Sequence, residues 1–309
     1  MAVFLLGSDQ RVVRCARVSF AKDEQVDQER DIKLIKFLFE NRHASPFEHV
    51  VMAFESDEEF WLSLLRKVKN PTFQAYWDGK FLWLNLRNII NAWEHMPEEV
   101  LRVIEEKLPA VYSVVVGREP KGYSTDSAYV RELVETSSGF VGLVDKLELD
   151  SPMDYYTFVV ECPLFVARQW HRHRFGSYNE VSRRYVSYEP DFYIPEYLRK
   201  QSKSNKQASE DTPLEEPWNS LFLKKIKWYV EDLKTLYANM VEKGTAKELA
   251  RGILPQFMKT RFYWTVPRIS LDNFITLRTH PHAQKEIREL ALAIKDMVGY
   301  RGWDRTMRL

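Results

Sequence analysis

The stretch from Tyr156 to Arg184 constrains this chain more than any other. It runs from an apolar segment straight into a polar cluster. The apolar part reads as a strand over Tyr156–Glu161 and a buried helix over Pro163–Trp170. The cluster holds Arg168, Arg172, Arg174, Arg183 and Arg184 with His171 and His173, against one acid, Glu180. Cations gathered at the end of an apolar helix cost free energy unless anions visit them. Guanidinium forks suit phosphates, carboxylates and the flat polar edge of a pyrimidine. The flanking Phe165, Val166, Trp170, Phe175 and Tyr178 argue for a partly buried site over a solvated basic face.

Charge decides what kind of anion is meant. Lys plus Arg is 45 and Asp plus Glu is 44, a net charge of +1. A general polyanion binder is far more basic, so a nucleic-acid module is the alternative reading only as a local patch on the Arg/His cluster. The 309 residues suffice for one large domain, with roughly three-quarters of the unfolded chain's surface buried. The two cysteines, Cys15 and Cys162, fit a reducing compartment. No run approaches the ~20 apolar residues of a membrane span, and the cytoplasm is the expected location.

Elsewhere the pattern predicts strands at residues 3–6, His49–Glu55, Phe81–Leu84 and Phe262–Val266, with a further β-prone run at Tyr112–Val116. Helices are expected over Asp31–Asn41, Phe60–Leu65, Asn88–Trp93, Trp218–Met240, Leu271–Leu277 and Ala283–Val298. The apolar stripe of Trp218–Met240 is Leu221, Ile226, Tyr229, Leu233, Leu236 and Met240. Ser45, Pro46 and Glu48 have capping-box spacing, as do Thr245 and Glu248. Residues 199–217 read as a solvated loop. Strands and helices mix without βαβ alternation, so the fold class is α+β.

The run Arg172-His173-Arg174-x-x-Ser177-x-Asn179-Glu180-x-Ser182-x-Arg184 resembles the signature of the flavin-dependent thymidylate synthases, with every fixed position present. Ala16-Arg17-Val18-Ser19-Phe20, Ser45-Pro46-Phe47-Glu48-His49 and Phe165–Trp170 are similar to that family's earlier blocks. Residues 248–255, 260–266 and 273–286 are similar to its C-terminal half, in order. The resemblance implies a single catalytic domain over 1–309 with 51–155 as an insertion, whose apolar runs and lack of a catalytic constellation predict a folded, peripheral subdomain.

It also implies an activity: methylation of dUMP to dTMP, with methylenetetrahydrofolate as carbon donor, FAD as cofactor and NADPH as reductant. By the same resemblance Ser19, Ser45, Arg172, His173, Arg174, Glu180 and Asn273 contact the flavin. His43 and Glu48 lie in the same flavin-side block. Gln169, Arg172, Glu180, Ser182, Arg184, Arg251 and Arg278 serve dUMP, and Arg278 is the catalytic arginine, stabilising negative charge on the uracil. The implied assembly is a homotetramer with shared sites. Pro267 and Ile269 stand where the family has a polar residue and an arginine, and the neighbouring Arg268 offers a replacement.

Two other chemistries read less well from the residues. Cys162 precedes Pro163 at a helix start, where a thiolate is stabilised, but its neighbours Val160 and Leu164 are apolar. His171 and His173, two apart, do not share a helical face, so no metal site is expected. Arg278 also has a plain reading, a helix C-terminal cation worth about 0.3–1 kcal/mol.

Overall fold

A computed structural model describes residues 1–186, 189–203 and 209–300. The first half builds on strands β1 (Val3–Leu6), β2 (Val51–Glu55), β3 (Tyr76–Trp77) and β4 (Phe81–Asn85). They form an antiparallel sheet in the order β1-β2-β4-β3. Side chains alternate across it, as a pleated strand requires. Met52, Phe54, Leu82 and Leu84 face a core built with the helices α1 (Asp9–Arg17), α2 (Gln28–Glu40), α3 (Glu58–Lys67), α4 (Leu86–Asn91), α5 (Glu98–Lys107) and α6 (Pro109–Val115). Val51, Ala53, Phe81 and Trp83 face the other way, toward Met153, Tyr155 and Phe175.

The second half holds β5 (Glu132–Thr136), β6 (Gly139–Leu147), β7 (Tyr155–Pro163), β8 (Ser177–Glu180), the pair β9 (Arg199–Gln201) and β10 (Ser209–Pro213), and β11 (Lys259–Pro267). Five of these form one antiparallel sheet, ordered β5-β6-β7-β11-β8. Its helices are α7 (Leu164–Trp170), α8 (Trp218–Glu242), α9 (Lys247–Ala250), α10 (Arg268–Arg278) and α11 (Lys285–Met297). Phe158, Trp264 and Val266 pack with Trp170, Phe274, Ile287 and Ile294 into a second core. The expected α+β class is what the chain adopts. Among the described residues, no helix is long and apolar enough to cross a membrane.

Several expectations need correction. Residues 51–155 do not form a peripheral subdomain. β2 and β4 are the two central strands of the first sheet, and β6 lies directly against β7 in the second. Their apolar faces complete both cores, so the segment cannot be lifted away from the rest. Tyr112–Val116 lies mostly in α6 and not in a strand. The carboxylate of Asp9, on α1, accepts the backbone N–H groups of Ala110 and Val111 at 3.2 and 3.0 Å. This cap comes from a hundred residues away, and no local pattern could carry it.

Ser45 does not cap a helix; it opens a 3-10 turn, Ser45–His49, that has no side-chain cap bond. Likewise Ala246, and not Thr245, is the N-cap of α9. The supposed loop 199–217 contains the β9–β10 pair, tied down by a two-pronged Arg199–Glu286 ion pair at 2.8 and 2.9 Å. Residues 204–208 of that stretch lie outside the described residues. Most of the predicted stripe of α8 is not buried: Leu221, Tyr229 and Leu236 are exposed, and Val230 and Tyr237 are its buried residues.

Candidate active site

The signature leaves α7, turns tightly at 171–176 and returns as β8 along β11. Gly176 makes that return possible. A Cβ there would sit 2.9 Å from the Trp264 indole nitrogen and 3.1 Å from the Thr265 carbonyl, closer than packed atoms tolerate. Tyr178 closes the turn, its hydroxyl donating to the His173 carbonyl at 2.7 Å.

One group of expected residues meets at the ends of α7 and α10. The Arg278 Nε donates to His173 Nε2 at 3.0 Å, and Nη2 donates to the Gln169 carbonyl at 3.0 Å. Because His173 accepts through Nε2, its ring is neutral with the proton on Nδ1. Burial and then the adjacent Arg278 push its pKa down from 6.5 to about 4, which agrees with that tautomer. The His173 ring lies against Phe274 at 4.9 Å, and Phe274 in turn packs on Trp170 at 4.5 Å and Trp264 at 5.0 Å. An aromatic bed thus fixes the imidazole, and the imidazole fixes the guanidinium. The Gln169 side chain donates to Gln284 Oε1 at 2.6 Å.

A second group joins the N-terminal block to the signature. The Ser19 hydroxyl donates to the Glu180 carbonyl at 3.0 Å, and the Ser182 N–H donates to the Ser19 carbonyl at 3.0 Å. The Thr260 hydroxyl donates to Glu180 Oε1 at 2.6 Å. Nearby, Arg184 Nη2 donates to the Tyr185 hydroxyl at 2.9 Å, and Tyr185 stacks on Phe20 at 4.9 Å.

A third group lies on the far side of β8. His49 is fully buried, with Nδ1 2.8 Å from Thr265 Oγ1 and Nε2 3.1 Å from Asn179 Oδ1. Burial drives its pKa to about 3, so it too is neutral. Next to it, Arg87 Nη1 reaches Glu48 Oε1 at 2.5 Å and Arg87 Nη2 reaches Thr72 Oγ1 at 3.0 Å.

Other expected residues join none of these groups through hydrogen bonds among the described residues. Ser45 and Asn273 are exposed. Arg251 is exposed, and its Nε makes a long bond to the Glu248 carbonyl of its own turn at 3.4 Å. Arg172 and Arg174 are exposed, and neither has an acid partner among the described residues. The guanidinium of Arg268, the offered replacement, is drawn to Asp154 at 3.7 Å and Asp272 at 3.9 Å. Cys162 is fully buried, and burial raises its thiol well above the ordinary value, which is the opposite of a nucleophile's need. Sequence reasoning missed Thr260, Gln284, Thr265 and Arg87. The polar Thr260 and Thr265 inside the apolar β11 were the available signal; Arg87 had none.

These donors fit a flavin nucleotide and a pyrimidine nucleotide. The exposed forks of Arg172 and Arg174 suit phosphate oxygens, and the oriented, half-buried Arg278 suits a flat ring edge that gains charge.

A family model and two relatives point the same way. The family model described as "Thymidylate synthase complementing protein" matches residues 3–59 and 125–300. The "Flavin-dependent thymidylate synthase" of Aquifex aeolicus is 61% identical over 314 residues, covering 99% of this chain and 98% of that protein. The protein of the same name from Thermosipho africanus is 41% identical over 150 residues, covering 48% of this chain and 65% of its own. Among solved structures, the UMP/dUMP methylase PolB of Streptomyces cacaoi aligns over 96% of this chain and 89% of its own, at 22% identity and a TM-score of 0.42. The signature turn, the family model that matches most of the chain and a relative alike along almost the whole length lead to one conclusion: this chain belongs to the family of flavin-dependent thymidylate synthases.

Proposed function

We propose that the chain converts dUMP to dTMP, taking the methylene from methylenetetrahydrofolate and reducing equivalents from NADPH, with FAD as cofactor. The observation that carries this reading is the Gln169–His173–Arg278 cluster, where the end of α10 meets α7 and the signature turn. FAD, when bound, supplies the redox and one-carbon chemistry. The chain's own residues bind, orient and polarise.

Making C5 of uracil nucleophilic moves negative charge toward the N3–O4 edge. Arg278 is oriented for that edge through Nε and Nη2 and keeps Nη1 for the ring. A preorganised guanidinium stabilises the charge as it develops, with no reorganisation at that moment. A neutral His173 matters here, because a second cation beside Arg278 would repel it. Arg251 serves the nucleotide phosphate, Gln169 and Arg172 flank the nucleotide, and Glu180, Ser182 and Arg184 line its pocket. Arg172, His173, Arg174, Glu180, Ser19, Ser45 and Asn273 serve the flavin.

Within one subunit these residues are spread over separate patches. The exposed apolar face of α8, with Trp218, Phe222, Trp228 and Tyr229, is available for association. Both observations support a homotetramer that brings the patches together. The buried free thiols of Cys15 and Cys162 fit a cytoplasmic enzyme.

The direct test is an Arg278→Ala variant. It is expected to fold and hold FAD while losing most dTMP formation. Near-normal dTMP formation would reduce Arg278 to a helix-end cation.

A further inference from the structure

Residues 60–124 fall outside the family match, yet they line a cleft shared with the signature. This cleft has a volume of about 410 Å³. Gln74, Tyr76, Asn85 and Arg87 come from the unmatched segment, and Arg174 and Ser177 come from the signature turn. Three observations make it a built site. Arg87 spans it with two bonds, to Glu48 of the 45–49 turn at 2.5 Å and to Thr72 of its own segment at 3.0 Å. The 45–49 turn is pinned from behind through His49, bound to Thr265 and Asn179. Tyr76 packs on Phe175, next to Arg174, with ring centroids 5.0 Å apart. The Arg174 fork, with no acid partner among the described residues, suits a phosphate, and the carboxamides and tyrosine suit the polar edge of a flat ring.

We propose that residues 60–124 form one wall of the flavin-nucleotide site, and that Arg87 is its positioning residue, holding Glu48 and the 45–49 turn opposite Arg174. This rests on the flavin-dependent reading above. Arg87 acts through Glu48 and Thr72, so its loss should loosen the wall without touching the Arg278 cluster.

The experiment is titration of the full-length apo chain with FAD, followed by quenching of flavin fluorescence, alongside the apo melting temperature. Losing a charged hydrogen bond of this kind weakens binding by about tenfold or more. Arg87→Met is expected to show that loss, with the KM for dUMP at saturating FAD within about twofold of the parent. Arg87→Lys is expected to recover part of the affinity, since it keeps the charge but cannot span both partners. FAD affinity within twofold of the parent in a folded Arg87→Met chain would overturn the proposal. If Arg87→Met does not fold, Thr72→Val, at an exposed position, removes one of the two bonds. A weaker FAD affinity there supports the proposal and an unchanged one overturns it. Failure of the parent chain itself to bind FAD would instead sink the flavin-dependent reading.

Discussion

The Arg278 guanidinium spends Nε and Nη2 on orientation, toward His173 and the Gln169 carbonyl. That leaves it a positioned donor and not a mobile cation. Losing one preorganised donor of this kind typically costs about 100- to 1000-fold in turnover, and that is the loss expected in dTMP assays of Arg278→Ala. Arg278→Lys should recover little, because an ammonium cannot hold both partners and the ring edge together. The two neutral histidines make a separate prediction. His49 and His173 have pKa values held near 3 and 4 in the fold by burial, against about 6.5 when unfolded. Below pH 6.5 the unfolded chain therefore binds protons that the folded chain refuses. Stability is full above that pH and falls as pH drops toward 4, by up to about 1.4 kcal/mol per pH unit for each histidine. Urea unfolding at pH 7 and pH 5 should show this slope, and His49→Gln should flatten part of it. An equal slope in that variant would mean that His49 titrates normally in the fold.

At the scale of elements, α6 depends on a cap that no local sequence supplies. Asp9 accepts from Ala110, Val111 and Ser124 while fully buried. Asp9→Ala leaves these donors unmet and is expected to lower stability by about 1–3 kcal/mol, read as a shift in the urea midpoint at constant m-value. The same bond explains why Tyr112–Val116 looked β-prone: its valines favour strands until a distant carboxylate caps a helix. Elements whose cause is local were legible. β7, β11, α10 and α11 announce themselves by alternation, by helical period and by Pro267 and Pro281 at their borders. The Gln169–His173–Arg278 cluster was legible in its members, because His173 lies in the signature and Gln169 and Arg278 lie in blocks similar to the family's. Its geometry was not, since Arg278 meets His173 across 105 residues of chain. The proposed role of 60–124 was hidden for the same reason: Arg87 reaches Glu48, 39 residues earlier, only in the fold.

For the whole molecule, the first sheet, the second sheet and the signature turn form one body. The segment expected to be peripheral supplies central strands and half of the cleft beside Arg174. The exposed apolar face of α8 carries Trp218, Phe222, Trp228 and Tyr229. Trp228→Glu places a charge on that face at a side chain 60% exposed in the single subunit. On the proposed homotetramer, light scattering should then report smaller assemblies than for the parent, with dTMP formation falling alongside. An active parent monomer at micromolar concentration would contradict the shared-site account.

A chain that makes dTMP through a bound flavin, as proposed, needs no thiol nucleophile. The most direct measurement is dTMP formation by the purified chain from dUMP, methylenetetrahydrofolate and NADPH, with and without FAD, in the parent and in Cys162→Ser. The account predicts a flavin-loaded protein whose dTMP formation requires FAD and persists in the folded Cys162→Ser variant. dTMP formation without FAD, or its abolition in a folded, flavin-loaded Cys162→Ser chain, would contradict it.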